Sequence, residues 1–465
     1  MEAPEDAPAP AGMSSWPMWV LGLVLMIDQI DQNIVRGVVP QLQDEFGLND
    51  TEIGVLLSVF VFVNGVITVP AGYLADRWRR TRAIGHTVVA WSAITAVTAA
   101  AQSFGQLIGL RAMLGFGQAI TEPSAASLIG DYYPSSHRGR AFSLTQVLQF
   151  TGFGLGIGIG GAIGSTLGWR WAFVLVAIPG TLIAFAAYAL REPRRGHGDL
   201  LHAGVTHDVA GDDADDDADH SLFDEGMRQF LVDMIRGLRA DMKTILAIPT
   251  LRLSLVGVGV LLFSITAVGA WLPQFHERFS GLTQREATGA VTAIVLLGGI
   301  PGILLGGRVA DHYAGRIQGA RVVIPAWCVA VGTALFTISY LEIPFAVSFV
   351  LEVVGFFIVT MAIPALRAGL TDVVPANLRG AGFGAFNIVS VVFGAAAAPI
   401  VVGYLAEVWD LRTAFLVVSP PVFVGSYILY RAKYHLDEDA AKIIEAVLRA
   451  VQEQQATEQA RHPEG

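Results

Sequence analysis

Twelve apolar stretches of about 20 residues dominate this chain, each long enough to cross a bilayer as a helix. They lie at roughly 16–39, 52–74, 83–102, 105–130, 140–165, 170–190, 249–274, 285–308, 321–341, 344–368, 380–405 and 412–431. The expected fold class is therefore an all-α membrane protein with twelve transmembrane helices. Composition agrees. Apolar residues are 53% of 465 and charged residues 15%, against about 25% charged in a soluble domain. Mean hydropathy is +0.54. These values exclude a soluble enzyme, a disordered protein and a nucleic-acid binder; the last would also need a basic surface, and the net charge is −10. The single cysteine, Cys328, excludes a disulfide framework and a cysteine-based metal site. Lysine occurs only at 243, 433 and 442 while arginine is abundant, which points to a GC-rich, bacterial genome.

Residues 1–15 are Ala/Pro-rich and acidic, with no basic n-region. They are expected to be a cytoplasmic tail rather than a signal peptide. Basic residues cluster in the even-numbered loops: Arg77, Arg79, Arg80 and Arg82, then Arg138 and Arg140, then seven between Arg191 and Lys243, then Arg308, Arg316, Arg321 and Arg379. The odd-numbered loops hold only Arg170, Arg278, Arg285 and Arg412. By the positive-inside rule both termini are cytoplasmic, in a bacterial inner membrane. Residues 191–248 form a linker whose acidic run, 211–219, is expected to be a solvated spacer. Within it Phe223, Met227, Phe230, Leu231, Met234, Ile235, Leu238 and Met242 recur at helical spacing, flanked by Arg228, Arg236, Arg239 and Lys243. They predict an amphipathic helix lying on the inner leaflet or against the bundle. The tail from 432 to 465 repeats this pattern weakly.

The two halves of the chain repeat each other. PQLQDEF (40–46) echoes PQFHERF (273–279), GYLADR (72–77) echoes GRVADH (307–312), DYYPSSHRGRAF (131–142) echoes DVVPANLRGAGF (372–383), and WRWAF (169–173) echoes LRTAF (411–415). Four matches in the same order imply two pseudo-symmetric six-helix bundles, 16–190 and 249–431. Such parallel repeats place a substrate site at the midplane, with access alternating by rocking.

The loop signature Gly72-Tyr-Leu-Ala-Asp-Arg-Trp-Arg-Arg80 resembles that of the major facilitator superfamily, as do Arg111-x3-Gly115-x-Gly117-x-Ala119 and the segment Pro134-x3-Arg138-Gly-Arg-Ala141. The resemblance covers nearly the full length and implies a transporter of that fold. Asp31-Gln-Asn-Ile-Val-Arg36-Gly-Val-Val-Pro40 is similar to the first helix of the spinster-like branch of lysolipid and sphingolipid transporters. That branch has Asp-Arg where this chain has Asp31-Gln32, with Arg36 one turn later, and a helix-4 Glu where this chain has Gln118, with Glu122 one turn later.

Charges are rare in the spans, and each costs about 2.5–3.5 kcal/mol to insert, so they usually face a cavity. The first span carries Asp28, Asp31 and Arg36, the fourth Arg111 and Glu122, and the tenth Glu352. At 100° per residue, Arg111, Gly115, Gln118 and Glu122 make one stripe within about 60°. Asp28, Asp31 and Gln32 share a face of the first span. Depth along the helices matches Asp31 with Arg111, and leaves Glu122 without a basic partner. Asp31, by resemblance and position, and Glu122, by position alone, are expected to couple transport to protons. A carboxyl that alternates between an apolar cavity and an arginine changes its proton affinity; the alternative is a static ion pair between the two helices. Arg36, Arg111, Gln118, Asp28 and Glu352 are expected to contact the substrate headgroup or compensate charge. Asp76, Arg77, Arg80, Asp131, Arg138 and, in the second half, Asp311 are expected to form an intracellular gate. Gly152-x3-Gly156-Ile157-x2-Gly160-Gly161 follows the superfamily's antiporter glycine motif with Ile157 where proline is usual; close helix packing explains it equally well.

The second half offers few polar cavity residues: Ser264, Thr266, Thr360, Asn387 and Ser390. A sugar would leave buried hydroxyls unpaired, so an anionic amphipath fits better. The expected activity is proton-coupled transport of a lysophospholipid or sphingolipid-like substrate by alternating access. The alternatives are a drug or small-metabolite/proton antiporter of the same fold, and a non-transporting membrane sensor. No cofactor is expected, the proton gradient being the energy source. Expected partners are membrane lipids, the substrate and protons, with no nucleic acid, and the chain is expected to be a monomer. No nucleophile–base pair, metal cluster or phosphate loop suggests an enzyme.

Overall fold

The computed structural model describes residues 14–75, 79–193, 227–313, 316–373, 388–439, 441–442 and 445. Among these residues the regular structure is all helical, and ten helices are long and apolar enough to cross a membrane. The third and fourth predicted spans are also helical but fall short of that test. The third, α4 (Arg80–Thr98), carries Arg80, Arg82 and His86. The fourth breaks at Ala119–Ile120 into α5 (Phe104–Gln118) and α6 (Thr121–Tyr132).

Local sequence explains the other boundaries. The first span ends early: α1 covers Trp16–Gly37, and α2 (Val39–Phe46) starts afresh with a proline in its first turn. Gly47 closes α2 with a φ of 66°, left-handed backbone that favours glycine. The second span is α3 (Asp50–Ala75), the fifth α7 (Ser135–Leu167) and the sixth α8 (Trp169–Tyr188). The amphipathic linker helix is α9 (Met227–Ala247), followed by α10 (Pro249–Phe279). A Thr283–Glu286 capping box starts α11 (Gln284–Ile294). A π-turn at Val295–Gly299 joins it to α12 (Ile300–Tyr313). Then come α13 (Ala320–Ser339) and α14 (Phe345–Val373). The eleventh span is described from residue 388, with a second π-turn at Val391–Ala396 and α15 (Ala397–Val408). Asp410 caps α16 (Leu411–Arg431) by accepting from the Thr413 amide.

Contacts divide the chain into two compact units. The first holds residues 1–230 with 268–296 and 399–408; the second holds 231–267, 297–398 and 409–465. Segments from the second half of the sequence are therefore built into the first unit.

In the first unit α1 packs along α7, and glycines make the approach possible. A Cβ on Gly152, Gly156 or Gly160 would lie 2.2–2.7 Å from the carbonyl oxygens of Met26, Ile30 and Ile34. The opposite face of α7 receives α11: a Cβ on Gly161 would meet the Thr288 hydroxyl at 2.1 Å. The glycine motif is thus a packing device on two faces. Leu21, Val24, Val88, Trp91, Leu114 and Leu128 fill the core beside it.

In the second unit α14 packs against α12 and α13. Here Gly298, Gly302 and Gly306 play the matching part, with backbone oxygens of Val353, Phe357 and Met361 2.3–2.6 Å from an added Cβ. Val322, Val329, Ala362, Leu366, Val422 and Leu429 form the core. Ile245 of α9 is buried in it, with Leu238 and Met242 packed alongside, while Arg236 and Arg239 stay exposed. The linker helix therefore lies against a bundle. Phe223 and the acidic run lie outside the described residues.

Candidate coupling and substrate site

The first unit gathers four of the predicted charges. Asp31 is fully buried on α1. Its carboxylate accepts from the Thr95 hydroxyl of α4 at 2.7 Å and from the Gln118 amide of α5 at 2.9 Å. Arg111 lies alongside but donates to the Asp31 backbone carbonyl, at 3.4 Å, rather than to the carboxylate. The expected Asp31–Arg111 ion pair is replaced by two neutral donors, which already occupy both carboxylate oxygens. The Arg111 guanidinium instead lies over the Phe173 ring, 5.2 Å from its centroid.

One turn back, Asp28 is 7% exposed and accepts from Gln32 at 2.7 Å. Its second carboxylate oxygen is buried without a hydrogen-bond partner. One turn forward, Arg36 is 8% exposed and lies over Phe153, 5.2 Å from the ring centroid. Gln274 of α10 donates to the Arg36 carbonyl at 3.2 Å. Arg36, Arg111 and Gln32 line a cavity of about 20 Å³, walled by Leu56, Leu57 and Phe60 of α3.

Glu122 sits exposed in the first turn of α6, near enough to Asp28 for the two carboxyls to interact electrostatically, with no hydrogen-bond or ion-pair partner among the described residues. Other predicted residues lie elsewhere. Glu352 is fully buried on α14 in the second unit, so its side chain does not reach out to a bilayer surface. A larger cavity in that unit, about 420 Å³ and lined by Trp327, Cys328, Tyr430 and Lys433, contains none of the predicted site charges.

The gate residues divide similarly. Asp76 and Arg77 lie outside the described residues, as does the side chain of Asp311. Arg80 is 1% exposed and pairs with Asp131. It also donates to Glu192 at 2.8 Å, to Ser127 at 2.8 Å and to the Pro193 carbonyl at 3.1 Å. Glu192 in turn caps α4 through the Thr81 amide and hydroxyl, both at 2.8 Å. Arg138 donates to the carbonyls of Gly130 and Tyr133, both at 2.9 Å, at the end of α6. This network ties α4, α6 and the chain after α8 together within the first unit.

Sequence reasoning missed Thr95, Gln274, Glu192 and the two aromatic rings. Thr95 was findable: Ser92, Thr95 and Thr98 form a buried polar stripe in the apolar second half of α4. Glu192 carried no signal beyond an acid inside a basic run.

The sequence profile of the Major Facilitator Superfamily matches residues 21–397. The D-galactonate transporter of Escherichia coli O6:H1 (strain CFT073) is 23% identical over 92% of this chain and 98% of its own length. The sphingosine-1-phosphate transporter SPNS2 of Mus musculus is 32% identical over 39% of this chain and 34% of its own. The crystal structure of a bacterial homologue of the human lysosomal transporter Spinster, inward-facing and occupied, has a TM-score of 0.73 at 18% identity, covering 93% of this chain and 99% of that one.

Proposed function

The chain belongs to the Major Facilitator Superfamily, and we propose that it is a proton-coupled transporter of an anionic amphipath, lysophospholipid- or sphingolipid-like, working by alternating access. It is a transporter and not an enzyme. One observation carries the coupling: Asp31 is a fully buried carboxyl held by Thr95 and Gln118, donors from two different helices. A buried carboxylate depends on every hydrogen bond it accepts. Relative movement of α1, α4 and α5 removes those donors and favours the neutral acid, so proton uptake follows conformation. Arg111, on the Asp31 carbonyl, shares the same elements and links headgroup binding to the same movement. Glu122 is the second coupling candidate, its exposure giving protons a way in.

The lipid assignment is supported by the similarity to the sphingosine-1-phosphate transporter and to Drosophila spinster. A second reading, transport of a small organic anion, is favoured by the similarity to the D-galactonate transporter over almost the whole chain. The arginine-rich even loops put both termini in the cytoplasm. The reading needs no cofactor and works as a monomer, and Arg80 with Asp131 and Glu192 holds the ends of α4 and α6 and the chain after α8 together as one body.

The test is flux in proteoliposomes. A labelled lysophospholipid and labelled galactonate are offered under an imposed pH gradient to wild type, Asp31→Asn and Glu122→Gln. Gradient-driven lipid flux lost in Asp31→Asn supports the reading. Flux of galactonate alone selects the second reading, and flux indifferent to the gradient overturns proton coupling.

A further inference from the structure

We propose that Arg36 and Arg111 together form the oxyanion-binding end of the substrate site, Arg36 imposing the requirement for an ionised carboxylate or phosphate head. This inference deepens the transport reading above and rests on it.

The charged groups of this cluster have mismatched partners. In a cluster of two buried acids and two buried arginines, ion pairing is the expected solution. The structure does otherwise. The hydrogen bonds that the acids accept come from neutral side chains, Thr95 and Gln118 on Asp31 and Gln32 on one oxygen of Asp28, whose other oxygen accepts none. The guanidinium groups are left with N–H bonds to spare. Nη1 of Arg36 and Nη2 of Arg111 are buried and donate to nothing. No described residue accepts a hydrogen bond from the Arg36 guanidinium at all. A guanidinium is a fixed cation with a planar fork of donors suited to carboxylate and phosphate. Both arginines line the same cavity, as does Gln32.

The surroundings are built to keep Arg36 there. Phe153 of α7 supports one face of its guanidinium. On another side stands Gly269, which the repeat makes the counterpart of Arg36, both lying four residues before the matching PQ pair. A Cβ on Gly269 would lie 2.7 Å from Arg36 Nη1 and 2.7 Å from the Phe153 ring. The second copy of the repeat thus lacks a side chain where the first projects an arginine.

The cavity also states the shape of the ligand. About 20 Å³ admits little more than one water-sized group. That is room for a single oxygen of a head beside the arginines, and none for a polar body. Its other walls, Leu56, Leu57 and Phe60, are apolar. A compact anion joined to apolar mass satisfies both, and carboxylate and phosphate heads share this chemistry.

The test measures binding to the purified full chain in nanodiscs. The probes are dodecyl phosphate, dodecanoate and dodecyltrimethylammonium, which share a tail and differ in head. Wild type is expected to bind the two anions and not the cation. Arg36→Gln is expected to weaken both anions about tenfold or more, the scale of a charged hydrogen bond, with Arg36→Lys intermediate. Gly269→Ala, which leaves every charge in place, is expected to weaken the anions in the same direction. Tighter dodecyl phosphate supports a phosphate head, and tighter dodecanoate a carboxylate head. Equal binding of the cation, or anion binding unchanged in Arg36→Gln and Gly269→Ala, would falsify the proposal. Asp31→Asn separates the two readings: if the coupling reading alone fails, gradient-driven flux in Asp31→Asn survives while the Arg36 dependence of binding remains. Should Arg36→Gln not fold by size exclusion, Arg36→Lys and Gly269→Ala decide the matter.

Discussion

The polar cluster of the first unit and the equivalent positions of the second differ in a telling way. Offsets of the internal repeat align Asp31 with Ser264, Arg111 with Glu352 and Gln118 with Val359. The acid and its amide donor have become a hydroxyl and an apolar side chain, and the arginine has become an acid. The scaffold did not diverge to the same extent. Gly152 of α7 admits the Met26 carbonyl of α1, and its repeat counterpart Gly394 admits the Gly259 carbonyl of α10, 2.2 and 2.4 Å from where a Cβ would lie. Packing tolerates no side chain at those positions in either unit, whereas a charge is retained only where something uses it. The asymmetry of charge on a symmetric scaffold is therefore the best guide to where chemistry resides.

The largest expected effect breaks or keeps this asymmetry directly. Asp31→Asn should reduce gradient-driven flux about 100-fold or more, within the range for loss of a proton-transfer group, while Ser264→Ala should change it less than about twofold. Equal losses in the two variants would remove the distinction between the units.

The Arg80 network tests whether the first unit also depends on buried charge for stability. Arg80→Gln removes the cation paired with Asp131 and Glu192, which are 14% and 13% exposed. It should cost about 3 kcal/mol, the scale for breaking a buried pair, read as a lowered melting temperature in detergent. A shift no larger than that of an exposed arginine variant would contradict it.

The glycine comparison should be nearly balanced. Gly156→Ala and Gly302→Ala each press a methyl into backbone, at 2.7 Å from the Ile30 oxygen and 2.3 Å from the Phe357 oxygen. Each should destabilise by about 1–3 kcal/mol. A neutral result in one unit alone would show that its helices separate freely.

The smallest effect concerns pH. Arg170 and Trp169 donate to Glu45, the Arg170 hydrogen bonds holding its carboxyl below the ordinary glutamate range. A lowered value in the folded state adds stability above the unfolded-state value and loses it as pH falls through the folded one. Both side chains are more than a third exposed, so solvent screening limits the effect to about 0.5 kcal/mol. Melting of wild type and Glu45→Gln should differ slightly at neutral pH and converge below about pH 4.

Much of this molecule was legible in advance. Each of the twelve predicted spans is helix over most of its described residues, with breaks at Val38 and at Ala119–Ile120, because hydrocarbon leaves the backbone no other partner than itself. The stripe Arg111, Gln118 and the face Asp28, Asp31 follow from helical geometry, and Gln118 does meet Asp31. The ion pair of Asp31 with Arg111 did not follow, since sequence spacing gives depth and angle but not which of several donors arrives first. Thr95 and Gln118 reach the carboxylate, and Phe173 takes the arginine's face.

Residue order alone determined the helices, their repeat and the short list of charges worth inspecting, because periodicity and transfer cost are local properties. Only the tertiary structure decided that Arg36 faces Gly269 across 233 positions of sequence, that neutral donors reach Asp28 and Asp31, and that two arginines with unpaired guanidinium nitrogens line one cavity. Those outcomes depend on how helices distant in sequence are packed, and hydrogen bonds a few ångströms long are sensitive to that packing in a way that hydropathy is not.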